Sequence, residues 1–169
     1  YKRNVDRLAR KWDTAKELVP QPVFYRRADT PVRMSAKHEN GADDLGRSID
    51  QDNLAGGTGD ADKSVRTPLG VIFFGTSTYA AEEAIEMLAA DGITLDAMRP
   101  RAFPFGRAFK EFVDAHERIF VIEQNRDAQF RSLMLIELGV DASKLISVLN
   151  YDGMPITADN IYRQIKGRV

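Results

Sequence analysis

The sequence predicts an α/β domain: an open, mostly parallel sheet in three layers, with helices on both faces. Three observations predict it. Four short apolar runs, at Leu69–Phe74, Thr94–Phe103, Arg118–Ile122 and Leu145–Leu149, are each followed by a stretch of helical period. The runs are near-continuous rather than alternating, as in strands buried on both faces. Strand and helix alternate four times in about 100 residues, enough for one doubly covered sheet.

Ahead of this domain, residues 2–19 read as an amphipathic helix, with Val5, Leu8, Trp12, Ala15 and Val19 at spacings of three and four. Trp12 on that stripe calls for a partner surface. Pro20 and Pro22 end the helix, and residues 1–25 form a helix with its connecting segment. Residues 26–66 read as a flexible or disordered linker. Its stretch from Ser35 to Arg66 holds five glycines and few large apolar residues, too little apolar surface to offset ordering entropy.

The α/β domain occupies 67–169. After Leu69–Phe74 and Gly75, Thr78 is suited to cap a helix to about Asp91, with Ala81, Ala84, Ile85 and Leu88 inward. Gly92 stops it. The run Thr94–Phe103 is the least apolar and is expected nearer an edge. After Pro104-Phe105-Gly106 a short helix carries Phe109, Phe112 and Val113. Arg118–Ile122 is the most apolar run and is expected to be central. A helix is expected over Arg126–Leu138, with Phe130, Leu133, Met134 and Leu138 inward and Gly139 as a left-handed C-cap. After Leu145–Leu149, Thr157 caps a last helix through Ile161 and Ile165.

Composition excludes several functions. Net charge is -1, so there is no global basic signal for nucleic acid. The first 33 residues carry nine Lys/Arg against four Asp/Glu, which reads as a solvated helix face. With no cysteine, disulfides, thiolate catalysis and cysteine-ligated clusters are excluded within the chain. The apolar runs fall far short of the ~20 residues of a membrane helix. The chain opens at Tyr1, inside what reads as a helix, and is expected to be a piece of something longer.

Local motifs mostly reduce to structure. Gly75-Thr76-Ser77-Thr78 follows a strand and opens a helix, where free N–H groups make a weak anion-site candidate. It matches neither the dinucleotide nor the P-loop pattern, so a glycine turn with a hydroxyl cap is favoured. Ser77 fails as a nucleophile elbow because Tyr79 stands where a glycine is required, leaving His116 better suited to a helix-end cap. His38 and His116 supply at most two imidazole metal ligands. Asp50, Asp52 and Asn53 resemble a calcium loop, but Leu54 falls where an oxygen ligand belongs. No catalytic, cofactor-binding or metal residue is assigned.

The run Phe120–Gln129 differs in kind. Glu123, Gln124, Asn125, Arg126 and Asp127 follow a central strand at the sheet edge where polar groups converge. Asn125 as N-cap and Asp127 in the first turn account for two of them. Glu123, Gln124 and Arg126 remain, and this surplus points to an interface or cavity edge, with Gln129 beside them. Tyr151, Asp152 and Gly153 form a turn expected on the same edge.

Six stretches resemble the carboxyl-terminal part of the alpha subunit of 2-oxoacid:ferredoxin oxidoreductases, especially the 2-oxoglutarate type. They are Val5-Asp-Arg-Leu8 with Leu18-Val-Pro20, Val71-Ile-Phe-Phe-Gly-Thr76, Arg101-Ala-Phe-Pro-Phe105, Val121-Ile-Glu-Gln-Asn-Arg-Asp-Ala-Gln129 and Tyr151-Asp-Gly-Met-Pro-Ile-Thr157. The resemblance covers residues 1–25 and 67–169, and implies a fold like the transketolase carboxyl-terminal domain. It further implies membership of a cytoplasmic enzyme that decarboxylates a 2-oxoacid on thiamine diphosphate with Mg. Such an enzyme passes electrons through iron–sulfur clusters to ferredoxin and forms an acyl-CoA. It also implies that the diphosphate-binding motif lies in a partner beta subunit and the cluster cysteines outside this domain. This chain then binds no cofactor, meets the beta subunit and the rest of the alpha subunit, and is inactive alone. Related chains often carry His where Asn150 stands, and the 35–66 stretch is longer than such a link. Two alternatives stay open: a small binding module for an anionic ligand such as CoA, and a dimerisation domain without catalysis. Neither nucleic acid nor membrane is expected as a partner.

Overall fold

The computed structural model describes residues 1–25 and 68–169. The expected linker at 26–66 lies outside the described residues. In chain order the elements are α1 (Lys2–Leu18), β1 (Val23–Tyr25), β2 (Leu69–Ile72), α2 (Thr78–Ala90), β3 (Asp96–Arg99), α3 (Arg107–Ala115), β4 (Arg118–Glu123), α4 (Gln129–Leu138), β5 (Leu145–Leu149) and α5 (Ala158–Lys166). One five-stranded sheet has the order β1-β3-β2-β4-β5. Its last four strands are mutually parallel, and β1 adds antiparallel to β3 with Phe24 opposite Met98.

The period of two in each strand divides its side chains between two cores. On one face, Val71, Phe73, Phe120, Ile122 and Val148 pack against Ala81, Ala84 and Leu88 of α2 and Ile161 and Ile165 of α5. On the other, Ile72, Met98, Ile119 and Val121 meet Phe109, Phe112 and Val113 of α3 and Met134 of α4. Each large side chain fully removed from water stabilises the fold by about 1.5–3 kcal/mol. This is the three-layer α/β architecture that the runs predict.

Several boundaries and neighbours differ from expectation. The Thr94–Phe103 run forms a strand only at Asp96–Arg99, and β3 lies near the edge as expected, second in the sheet with β1 outside it. Val23–Tyr25 gave no strand signal: three residues are too few for a period, and tertiary pairing supplies the strand. Burial first, then the neighbouring Glu82 carboxylate, raises the Tyr25 hydroxyl above its ordinary value. The first helix ends at Leu18, as Pro20 requires. Its Trp12 finds a partner in Phe103, edge-on at 5.2 Å between ring centroids. Phe103 leads through Phe105 to the ring of Phe109, stacked on Phe105 at 4.1 Å.

His116 does end a helix, as C-cap of α3, and it is buried. Its Nδ1 lies 2.7 Å from the Phe112 carbonyl and its Nε2 3.2 Å from Asp96 on β3. Gly70 of β2 makes room for it: a Cβ there would stand 3.1 Å from the His116 ring and 3.3 Å from that of Phe112. Among the described residues no helix is long and apolar enough to cross a membrane.

The far ends of α2 and α5 are clasped. Asp91 accepts hydrogen bonds from Lys166 (2.6 Å) and the Tyr162 hydroxyl (2.5 Å). The Lys166 bond, then that of Tyr162, holds the Asp91 carboxyl below its ordinary value, and Lys166 is raised well above its own. A carboxyl depressed in the folded state contributes stability above its unfolded value and loses that contribution as pH falls through the folded one. The stability gap between the native protein and Asp91→Asn is therefore expected to shrink on acidification from neutral pH, and to shrink with salt. Thermal unfolding of both proteins over that range measures it; a gap independent of pH would remove the charge as its source.

Candidate functional site at the carboxyl edge of the sheet

Because β2, β4 and β5 are parallel, Gly75, Gln124 and Asn150 leave the sheet on one edge. The candidates from all three loops are thus brought together, and their hydrogen bonds show what each does.

Glu123 ends β4 and is 1% exposed. Strand alternation turns it to the face of Ile119 and Val121, where α4 begins. One carboxylate oxygen accepts from Phe130 N (2.7 Å) and Asn125 Nδ2 (2.9 Å); the other accepts from Arg131 N (2.9 Å). A buried anion at a helix start satisfies amides that lack an intrahelical partner and complements the helix dipole. Glu123 is therefore the cap of α4, delivered from the preceding strand.

Gln124, one residue on, turns to the opposite face. Its Nε2 donates to Thr76 Oγ1 (2.8 Å) and its Oε1 accepts from Ile156 N (3.2 Å). One amide thereby ties the loops after β2, β4 and β5 together.

The start of α4 corrects the expectation of a helix from Arg126. The helix starts at Gln129, Asn125 is not its N-cap, and Asp127 lies outside the first turn. Asn125 Oδ1 instead accepts from Asp127 N (3.1 Å) and Gln129 N (3.3 Å). These two amides bracket Ala128, which has φ 48° and ψ 50°. The left-handed conformation costs a residue with a Cβ about 1–2 kcal/mol, and the bonds on either side hold it there. Arg126 and Asp127 are exposed and pair with each other at 2.7 Å.

The β5 loop is organised in the same way. Asn150 is buried; its Nδ2 donates to Met154 O (2.7 Å) and to Asp152 Oδ1 (3.2 Å), while its backbone N donates to Glu123 O (3.0 Å). Asp152 Oδ1 also accepts from Met154 N (2.9 Å), closing a turn around Gly153. Thr157 caps α5 as expected, accepting from Asn160 N. Thr78 does not cap α2: its hydroxyl donates back to Gly75 O, and that of Ser77 to Phe74 O. Thr76 is exposed and accepts from Gln124.

The carboxylates of this edge are already engaged within the loops themselves. Glu123 is saturated by three donors, Asp127 is paired, and Asp152 is held in its turn. Among the described residues no three His, Asp or Glu side chains are placed to share a metal ion. The edge does expose apolar surface: Tyr79 at 82%, Tyr151 at 64% and Met154 at 69%. Tyr79 and Met154 escaped the reading of the sequence. The signal was a large apolar residue just beyond a strand's end, where burial is not expected.

No protein-family model matches the chain, and no curated protein matches it. Solved structures do. A 2-oxoglutarate:ferredoxin oxidoreductase from Magnetococcus marinus, with 2-oxoglutarate, coenzyme A and succinyl-CoA bound, is 25% identical with a TM-score of 0.53. This chain is similar to part of that enzyme. The match covers 60% of this chain, which spans only 18% of the length of the other. Two further structures match with lower scores. A split-gene transketolase, as an inactive beta4 tetramer, is 18% identical at a TM-score of 0.47, over 59% of this chain and 37% of that one. The alpha chain of a probable 2-oxoacid ferredoxin oxidoreductase from Thermoplasma acidophilum is 23% identical at 0.41, over 61% and 89%.

Proposed function

We propose that the chain is the carboxyl-terminal domain of the alpha subunit of a thiamine-diphosphate-dependent 2-oxoacid:ferredoxin oxidoreductase acting on 2-oxoglutarate. The likeness to the Magnetococcus enzyme carries the reading. In this reading the domain is positional. Its carboxyl edge completes an interface with the beta subunit and walls a cavity over a cofactor bound elsewhere. Thiamine diphosphate, magnesium and iron–sulfur clusters belong to the other parts of the assembly, with ferredoxin and CoA as reactants of the whole enzyme.

The geometry of the edge supports such a role. Glu123, Gln124, Asn125 and Asn150 hold the three loops in place, and Tyr79, Tyr151 and Met154 stand outward from them. Rigid positioning contributes to catalysis even where no reacting group is supplied, because it fixes the orientation of groups that do react.

The isolated chain, given 2-oxoglutarate, CoA, thiamine diphosphate, magnesium and a dye acceptor, is expected to reduce no dye above a protein-free blank. Measurable turnover would overturn the positional role. Calorimetry with CoA separates the anionic-ligand module, which would bind tighter than about 1 mM. A concentration-independent monomer in light scattering would remove the dimerisation domain.

A further inference from the structure

The dipeptide Asp-Gly occurs twice in the described chain, at Asp91–Gly92 and Asp152–Gly153. It is the least hindered setting for attack of a backbone nitrogen on the preceding side-chain carboxyl, because glycine adds no side chain and leaves the backbone free to turn. The two sites differ in the state of the glycine nitrogen and in the charge of the groups that hold the carboxylate. At the first, the Asp91 carboxylate is drawn away toward α5 by Lys166 and Tyr162, and Gly92 N donates to Ala89 O (3.0 Å). At the second, Asp152 Oδ1 accepts from Met154 N (2.9 Å) and Asn150 Nδ2 (3.2 Å), two uncharged donors, in a turn around Gly153. Asp152 and Gly153 are exposed, and Gly153 N–H has no acceptor among the described residues.

We propose that Asp152–Gly153 is a site of spontaneous isoaspartate formation and that Asp91–Gly92 is protected from it. In the reaction the Gly153 nitrogen bonds to Asp152 Cγ, and the carboxyl hydroxyl leaves as water with the amide proton, closing a five-membered succinimide. Water then adds to either carbonyl. Opening at the main-chain carbonyl leaves Gly153 joined through the side-chain carbon and frees the former main-chain carboxyl. One water leaves and one enters, so mass is unchanged and no oxidant or reductant is needed. At Asp91 the nitrogen is engaged and the carboxylate is ion-paired, which opposes the protonated acid that loses water.

The product lengthens the backbone by one methylene and removes the carboxylate that accepts from Asn150 and Met154. Chemical ageing would therefore disorder the loop that presents Tyr151 and Met154. The inference concerns the chain alone and does not depend on the function proposed above.

The test is incubation of the purified chain at physiological temperature near neutral pH. Peptide mapping follows, with isoaspartyl methyltransferase labelling and electron-transfer fragmentation to place the linkage. Isoaspartate is expected at 152 in several-fold excess over 91, and Asp152→Glu is expected to abolish the labelled product there. Equal accumulation at the two sites, or an excess at 91, would overturn the proposal. Lys166→Ala is expected to raise the product at 91; no rise would overturn the clasp as the protecting element. Asn40–Gly41, outside the described residues, is told apart by the mass gain of deamidation.

Discussion

Glu123→Ala is expected to lower the unfolding free energy by about 3–5 kcal/mol, without changing the denaturant dependence of the transition. The substitution removes a buried carboxylate with three donors and leaves the half-buried Phe130 N and Arg131 N without their acceptor. A hydrogen bond to a charged acceptor contributes about 1.5–3 kcal/mol, and each buried donor left unsatisfied costs about 1–3. Glu123→Gln is the sharper variant. It keeps the volume and one acceptor oxygen, but points an NH2 at a backbone donor, so about 1–3 kcal/mol should be lost. Urea unfolding followed by far-ultraviolet circular dichroism measures both. A cost for alanine below about 1 kcal/mol, the value of an ordinary neutral bond, would mean that water reaches these amides.

The second large effect is expected at Phe109, on the same side of the sheet. Phe109 is buried, with its ring nearly parallel to Phe105 (13° between planes) and edge-on to Phe130 at 6.3 Å. Phe109→Ala should cost about 3–5 kcal/mol through lost transfer energy and the cavity left behind. Phe109→Leu, closer in volume, should cost less than half as much. Ile136→Ala, at a position 79% exposed, should stay within about 0.5 kcal/mol. Equal losses at Phe109 and Ile136 would contradict the packing described. Phe130 also touches Phe74 and sits on the first turn of α4, so loosening Phe109 should weaken the seat of the Glu123 cap. The double variant is then expected to deviate from additivity, as coupled neighbours do.

Both predictions concern residues whose roles differed in legibility. Phe109 was legible, because the i, i+3 and i+4 spacing of Phe109, Phe112 and Val113 marks a helix face, and that face is buried. Glu123 was legible only as an anomaly. A carboxylate at the end of an apolar strand has no local explanation, since the amides it satisfies lie seven and eight residues further on. The reading that Asn125 caps a helix from Arg126 used the nearest suitable side chain, whereas the helix starts later because a more distant and more deeply buried acceptor is available. Gln124 was harder still, as its partners Thr76 and Ile156 are 48 and 32 residues away.

The sequence by itself determined the class of fold, the order of its parallel strands and helices, and the common edge on which the strand-end loops emerge. These follow from periodicity and from the directionality of strands joined by helices, which are local properties of the chain. Only the tertiary structure decided that Val23–Tyr25 closes the sheet beside β3, that α4 begins at Gln129, and that the polar residues of the β4 loop chiefly hold other loops in place. The physical reason is the same in each case. An edge strand of three residues, a cap delivered from another element and an amide bridging distant loops are all hydrogen-bond choices. They are made when chain segments far apart in sequence become neighbours and water is excluded between them.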